Sequence, residues 1–179
     1  MPRLKPLNPE TTTGKSKELF NVIQGKLNMV PNMMRTMGNS PAVLNGYLSL
    51  NSALSEGTLG GKLGELIALT VANANHCGYC NAAHSFIGEK LVHIDVDTLA
   101  EARHGKSTDV KIYAALNFSK ILVEKKGLVS DAEVDAVRNG GFDDEGIAEI
   151  IAHVALNIFT NYFNNTAQVT VDFPEITLV

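Results

Sequence analysis

The stretch from Gly64 to Leu91, GELIALTVANANHCGYCNAAHSFIGEKL, holds both cysteines of the chain, Cys77 and Cys80, spaced C-x-x-C. His84 follows four residues after Cys80, and eleven residues separate Glu65 from Cys77. A thiol reacts as thiolate, so a redox cysteine needs a base or a positive field beside it. An imidazole one turn after Cys80 can accept its proton. A carboxylate can orient that imidazole and stabilise its charged form. A second cysteine within reach resolves a sulfenic acid or mixed disulfide before over-oxidation. The four residues read as a redox-active dithiol with an attached proton relay.

Helical geometry brings them together. If the chain is helical from Cys77 onward, each residue turns by about 100°. Cys77, Cys80 and His84 then lie within roughly 60° of one another, with Ile87 and Leu91 continuing the stripe. Apolar at one end and reactive at the other, this face should turn into the protein. Residues three apart in a helix have Cα atoms on the order of 5 Å apart, within disulfide reach. The preceding NANHCG is rich in helix breakers and cappers, so one helix should end near Asn73 and another begin near Cys77. The positive end of the helix dipole then favours thiolate.

The elements around this stretch read as helices. Residues 1–13 carry prolines and a threonine run, suggesting an extended arm. Leu19, Phe20, Ile23 and Leu27 have helical spacing within Lys15 to Leu27. After Val30-Pro31, NMMRTMGN can form a short helix, and Ser40-Pro41 starts the next. The segment Lys62 to Asn75, which bears Glu65, is almost wholly apolar and should be buried. Asp95 or Asp97 can cap a short helix to Arg103, and Ser107 a long one to about Lys126. Ser130 and Glu133 form a capping box. Asp143 or Asp144 caps a last helix expected to reach about Tyr162. Residues 166–179 suggest an extended tail against the body or a neighbouring subunit. No other stretch alternates as strands do, so the fold class is all-α. With 179 residues, a single domain over 1–179 is expected.

Composition narrows the partners. The net charge is −4 and no Lys/Arg run occurs, which argues against nucleic acid. No apolar run approaches the roughly 20 residues that span a bilayer, so no membrane partner is expected. The N-terminus has no apolar core of signal-peptide length, and a cytoplasmic location is expected. In a reducing cytosol a lone cysteine pair is more often catalytic or metal-binding than a structural bridge. Zinc bound by Cys77, Cys80 and His84, with His76 or Glu65 as fourth ligand, is the alternative within the motif, although its spacing is compact for a tetrahedral site. Tyr79 reads as a packing or gating residue. Met29, Met33, Met34 and Met37 read as core filler, and Asn157 and Asn161 need partners if buried.

The arrangement Glu65-x11-Cys77-x-x-Cys80-x-x-x-His84 resembles the core motif of the alkylhydroperoxidase D-like branch of the carboxymuconolactone decarboxylase family. Met29-Val30-Pro31-Asn32 and the run from Asn139 to Ile150 resemble its peroxidase-related members. The resemblance implies an all-helical bundle assembling as a homotrimer or homohexamer. It implies thiol-dependent reduction of hydrogen peroxide or alkyl hydroperoxides, with no haem, metal or other cofactor. Cys80 would attack peroxide, Cys77 would resolve, and Glu65 and His84 would relay protons through water. A dithiol, such as a lipoylated protein, would supply electrons. The chain departs from the pattern at Tyr79, where the relatives carry histidine; tyrosine is a poor base near neutral pH. The decarboxylase branch lacks this dithiol, so lactone decarboxylation is the weaker expectation.

Overall fold

The computed structural model describes residues 1–179 as nine α-helices and no β-strand. In chain order they are α1 (Gly14–Leu27), α2 (Asn32–Met37), α3 (Pro41–Ser55), α4 (Gly60–Ala74), α5 (Gly78–Lys90), α6 (Val96–Arg103), α7 (Val110–Glu124), α8 (Asp131–Asn139) and α9 (Asp144–Ala167). No helix is long and apolar enough to cross a membrane.

Local chemistry sets most helix starts. Pro41 occupies the first turn of α3, and the Ser40 hydroxyl accepts from the Val43 amide at 3.4 Å. Asp95 caps α6 through Thr98 N at 2.8 Å, and Asp143 caps α9 through Gly146 N at 2.9 Å. The Ser130–Glu133 box opens α8, the Ser130 amide donating to Glu133 Oε2 at 2.8 Å. The cap of α7 differs from expectation. Asp109, not Ser107, accepts from Ile112 N at 2.9 Å, while the Ser107 hydroxyl accepts from Asp109 N one turn earlier. A carboxylate is the stronger acceptor for amides at a positive dipole end.

The centre of the fold is α4, which packs against α5, α6, α7 and α9. Every residue from Leu66 to Asn73 is buried, as expected of a helix apolar on all sides. Gly88 lets α5 and α6 approach: a Cβ there would stand 2.8 Å from Leu99 Cδ2. Two apolar clusters result. One is aliphatic apart from Phe118 and Phe142, built by α4, α6, α7, α8 and the first half of α9. The other joins α1, α2 and α3 to both cysteines, Tyr79, Ala167 and Val169.

Both termini lie on the body; the N-terminal arm ends at residue 13 as expected, whereas the tail begins later than expected. Residues 8–12 make a turn within the N-terminal arm, where Thr12 Oγ1 donates to the Asn8 carbonyl at 2.7 Å. The arm is tied down by Leu7 N donating to the Arg35 carbonyl and Arg35 Nε donating to the Leu7 carbonyl. Helix α9 runs past Tyr162 to Ala167, so the extended tail begins after residue 167 rather than at 166. In these added turns Asn164 and Asn165 find partners and Ala167 is buried. The tail then crosses to α4 and α5. Val179 N donates to Asn73 Oδ1 at 3.1 Å, and Asn81 Nδ2 donates to the Ile176 carbonyl at 2.9 Å.

Candidate functional site

The polypeptide leaves α4 through Asn75 and His76, the latter exposed and at φ 52°, and enters α5 at Cys77. Cys77 is not helical, as the sequence suggested, but is the extended N-cap of α5 at φ −93° and ψ 94°. Its sulfur accepts from the Cys80 amide at 3.2 Å, doing what a cap hydroxyl does elsewhere. The two cysteines form a disulfide with Cα atoms 5.3 Å apart. They are 0% and 2% exposed, so the sulfurs face inward. The expected stripe ends earlier than Leu91, which lies beyond the last turn of α5 and is 60% exposed.

Glu65 on α4 and His84 on α5 meet across the helix pair, with His84 Nδ1 and Glu65 Oε2 at 2.8 Å. Both side chains are largely sheltered from solvent. His84 makes no direct hydrogen bond to either sulfur, and a disulfide has no proton to offer one. Two further residues stand about Glu65. The Tyr47 phenol on α3 is pushed up to about 12, first by burial and then by the Glu65 carboxylate. Burial holds His153 on α9 below the usual histidine range, against the opposing pull of Glu149 and Glu65. No group of three or more His, Cys, Asp or Glu side chains converges in metal-binding geometry.

Tyr79 is buried, and its hydroxyl accepts from the Met33 amide at 3.2 Å. Burial raises its phenol far above the ordinary value, and the nearby Asp172 carboxylate adds to this against the Met33 bond. It stays neutral and cannot replace a histidine base. Phe173 of the tail packs edge-on against its ring, with centroids 5.8 Å apart. The tail also borders a cleft of about 420 Å³ whose floor is Gly78 and Ala82. At about 100° per residue these two lie on the opposite side of α5 from Cys80 and His84. The cleft therefore does not open on the reactive face.

One neighbour of the dithiol went unforeseen. Asn164 on α9 is 3% exposed, and its Nδ2 donates to Cys80 Sγ at 3.2 Å and to Met33 Sδ at 3.3 Å. The expected need of Asn157 and Asn161 for partners is met in part. Asn157 Nδ2 donates to the His153 carbonyl and Asn161 Oδ1 accepts from Asn75 Nδ2, while Asn161 Nδ2 is unpaired. Helical spacing from Asn157 and Asn161 would have put Asn164 on the same buried face, had the helix not been expected to stop at Tyr162.

Residues 41–90 match the model of the carboxymuconolactone decarboxylase family. No curated protein matches the sequence. An uncharacterized peroxidase-related protein from Ralstonia eutropha JMP134, described as an alkylhydroperoxidase AhpD core, has a TM-score of 0.84 at 23% identity, covering 96% of this chain and 92% of its own. A peroxidase-related protein from Silicibacter sp. TM1040 has a TM-score of 0.78 at 24% identity, covering 94% and 88%. The debrominase Bmp8 has a TM-score of 0.80 at 21% identity, covering 94% and 91%. Residues 41–90, which hold Glu65, Cys77, Cys80 and His84, thus match the carboxymuconolactone decarboxylase family model, and the whole chain shares the helical fold of these solved structures.

Proposed function

We propose that the chain, acting as one unit over residues 1–179, is a dithiol peroxidase that reduces hydrogen peroxide or alkyl hydroperoxides in antioxidant defence. The observation that carries this reading is the pairing of Cys77 with Cys80 at the start of α5, beside the hydrogen-bonded Glu65–His84 pair. In the reduced enzyme His84, oriented by Glu65, takes the Cys80 proton through water. The thiolate attacks the terminal peroxide oxygen; an S–O bond forms, the O–O bond breaks, and the departing alkoxide takes the proton from His84. Cys77 then attacks the sulfenic sulfur, forming the disulfide and releasing water. Two electrons have passed from the dithiol to peroxide. An external dithiol, free or carried on a lipoylated protein, restores both thiols by exchange. A reducing cytoplasm suits this cycle.

The outer face of α9 leaves Ile151, Phe159 and Tyr162 exposed, which suits contact between subunits of a homotrimer or homohexamer. Light scattering on the purified protein reads that assembly. The activity is tested by peroxide consumption with a dithiol donor, comparing wild type with Cys80→Ser. Loss of turnover in the variant is expected; equal rates would remove Cys80 from the reaction. A second reading comes from the debrominase, which was also solved as a cysteine-to-alanine variant with 2,3,4-tribromopyrrole. Here the thiolate would attack bromine instead of oxygen, and bromide release from a bromopyrrole with dithiol present distinguishes the two. No product is expected from γ-carboxymuconolactone.

A further inference from the structure

Helix α9 carries Asn157, Asn161 and Asn164 on its buried face; the last two have atoms without partners, and Asn164 lies against the dithiol. Asn161 is 0% exposed with Nδ2 unpaired, and Asn164 is 3% exposed with Oδ1 unpaired. A buried amide atom with nothing to bond costs free energy and calls for an explanation. The orientation of the Asn164 carboxamide follows from its surroundings. Cys80 Sγ and Met33 Sδ stand 3.2 and 3.3 Å from Nδ2, and both sulfurs are acceptors. The flipped amide would set its carbonyl oxygen against two sulfurs. The donor therefore faces Cys80, and Oδ1 is left without a donor.

The two cysteines thus differ in what they are given. Cys77 Sγ accepts a backbone amide, that of Cys80, which no substitution of a side chain removes. Cys80 Sγ accepts a side-chain amide from a residue 84 positions away. A hydrogen bond to a sulfur is stronger when the sulfur is an anion, so each donor favours thiolate at its own cysteine. From this geometry we infer that Asn164 is a positioning residue for Cys80: its Nδ2 holds the sulfur as thiolate, and its Oδ1 accepts the hydroxyl that Cys80 takes from peroxide. The second half rests on the peroxidase reading; the first does not. In the balanced step the hydroxyl proton stays on oxygen as S–OH, pointing at Oδ1, until Cys77 displaces it as water.

The titratable and charged groups facing Cys80 come from several elements. Cys77 and Tyr79 precede it, His84 lies one turn on, and Glu65 stands on α4. Tyr47 from α3 and His153 from α9 act on Glu65's surroundings, Asp172 from the tail on Tyr79, and Arg103 from α6 donates to Ser85. All stay in place when Asn164 alone is changed.

The test is site-resolved alkylation of the fully reduced, full-length protein by iodoacetamide across pH, in wild type, Asn164→Leu and Asn164→Asp. Both variants keep the heavy-atom count and the branching of the side chain. In Asn164→Leu the Cys80 midpoint is expected to rise by about one pH unit, a tenfold change in thiolate equilibrium, with Cys77 unmoved. In Asn164→Asp it should rise at least as far, because a carboxylate replaces the donor. An unchanged Cys80 midpoint in either folded variant overturns the inference, as does an equal shift of both cysteines, which loosened packing would give. If circular dichroism shows that the Leu variant does not fold, the Asp variant decides. The role of Oδ1 is read above both midpoints, where thiolate is complete. Peroxide reactivity should there remain about tenfold lower in Asn164→Leu, and equal reactivity overturns that role. A wild type inert to peroxide removes the peroxidase reading but leaves the alkylation result standing.

Discussion

The two apolar clusters are of similar size and differ in kind. The larger, around Leu66, Ile67, Leu116, Phe118 and Ile150, is hydrocarbon throughout. The smaller contains Met33, Met34, Met37, Cys77 and Cys80, and it borders the buried amides of Asn81, Asn161 and Asn164. Helices α4 and α9 cross from one to the other: α4 gives Leu66 to the first and Ala72 to the second, and α9 gives Ile150 and Ala167. Branched aliphatic side chains pack in few ways, whereas thioethers adapt to neighbours that change shape. A dithiol that alternates between bonded and separated sulfurs therefore sits in the adaptable half, on α5, beside α4 and α9, which are anchored in the rigid one.

This contrast can be tested from its largest consequence downward. Leu66→Ala, in the aliphatic cluster and fully buried, should cost about 2–5 kcal/mol in denaturant unfolding. A much smaller loss would mean that this half is not rigidly packed. Glu65→Gln leaves the fold intact but removes the charge that orients His84, and should lower peroxide turnover about 100-fold with little change in Tm. Met34→Leu in the sulfur-rich cluster should cost under about 1.5 kcal/mol. A loss as large as that of Leu66→Ala would erase the distinction between the halves.

The smallest effect concerns His153, on α9 next to Val154 of the aliphatic cluster. Burial depresses its pKa below the ordinary 6.5. The unfolded chain then binds this proton more readily than the folded one, so His153 disfavours the fold as pH falls below about 6.5. Wild type should lose more Tm between pH 7.5 and 5.5 than His153→Gln does. An identical loss in the two proteins would place the titration elsewhere.

Much of the site could be read before the fold because its members are close in sequence. Cys80 and His84 share one helix that Cys77 caps, so periodicity nearly assembles those three, while Glu65, on the helix before, stood out through its place in the motif. The caps at Ser40, Asp95, Ser130 and Asp143 were legible for the same reason, each acting over three residues. What escaped depends on distant contacts. Cys77 looked helical because an N-cap takes extended angles that spacing does not reveal. Asn164 fell beyond the expected end of α9, since its helix-disfavouring side chain gains its partners only when Cys80 and Met33 arrive. Tyr47 drew no notice because its link to Glu65 exists only across α3 and α4.

The central claim is that Cys77 and Cys80 cycle as one two-electron couple. Counting free thiols in the reduced protein before and after one equivalent of hydrogen peroxide, with mass spectrometry to locate any bond, tests it most directly. The account predicts that both thiols disappear together into an internal Cys77–Cys80 disulfide, and that a dithiol restores both. Two thiols still free after peroxide, or one thiol lost with no bond between these residues, would contradict it.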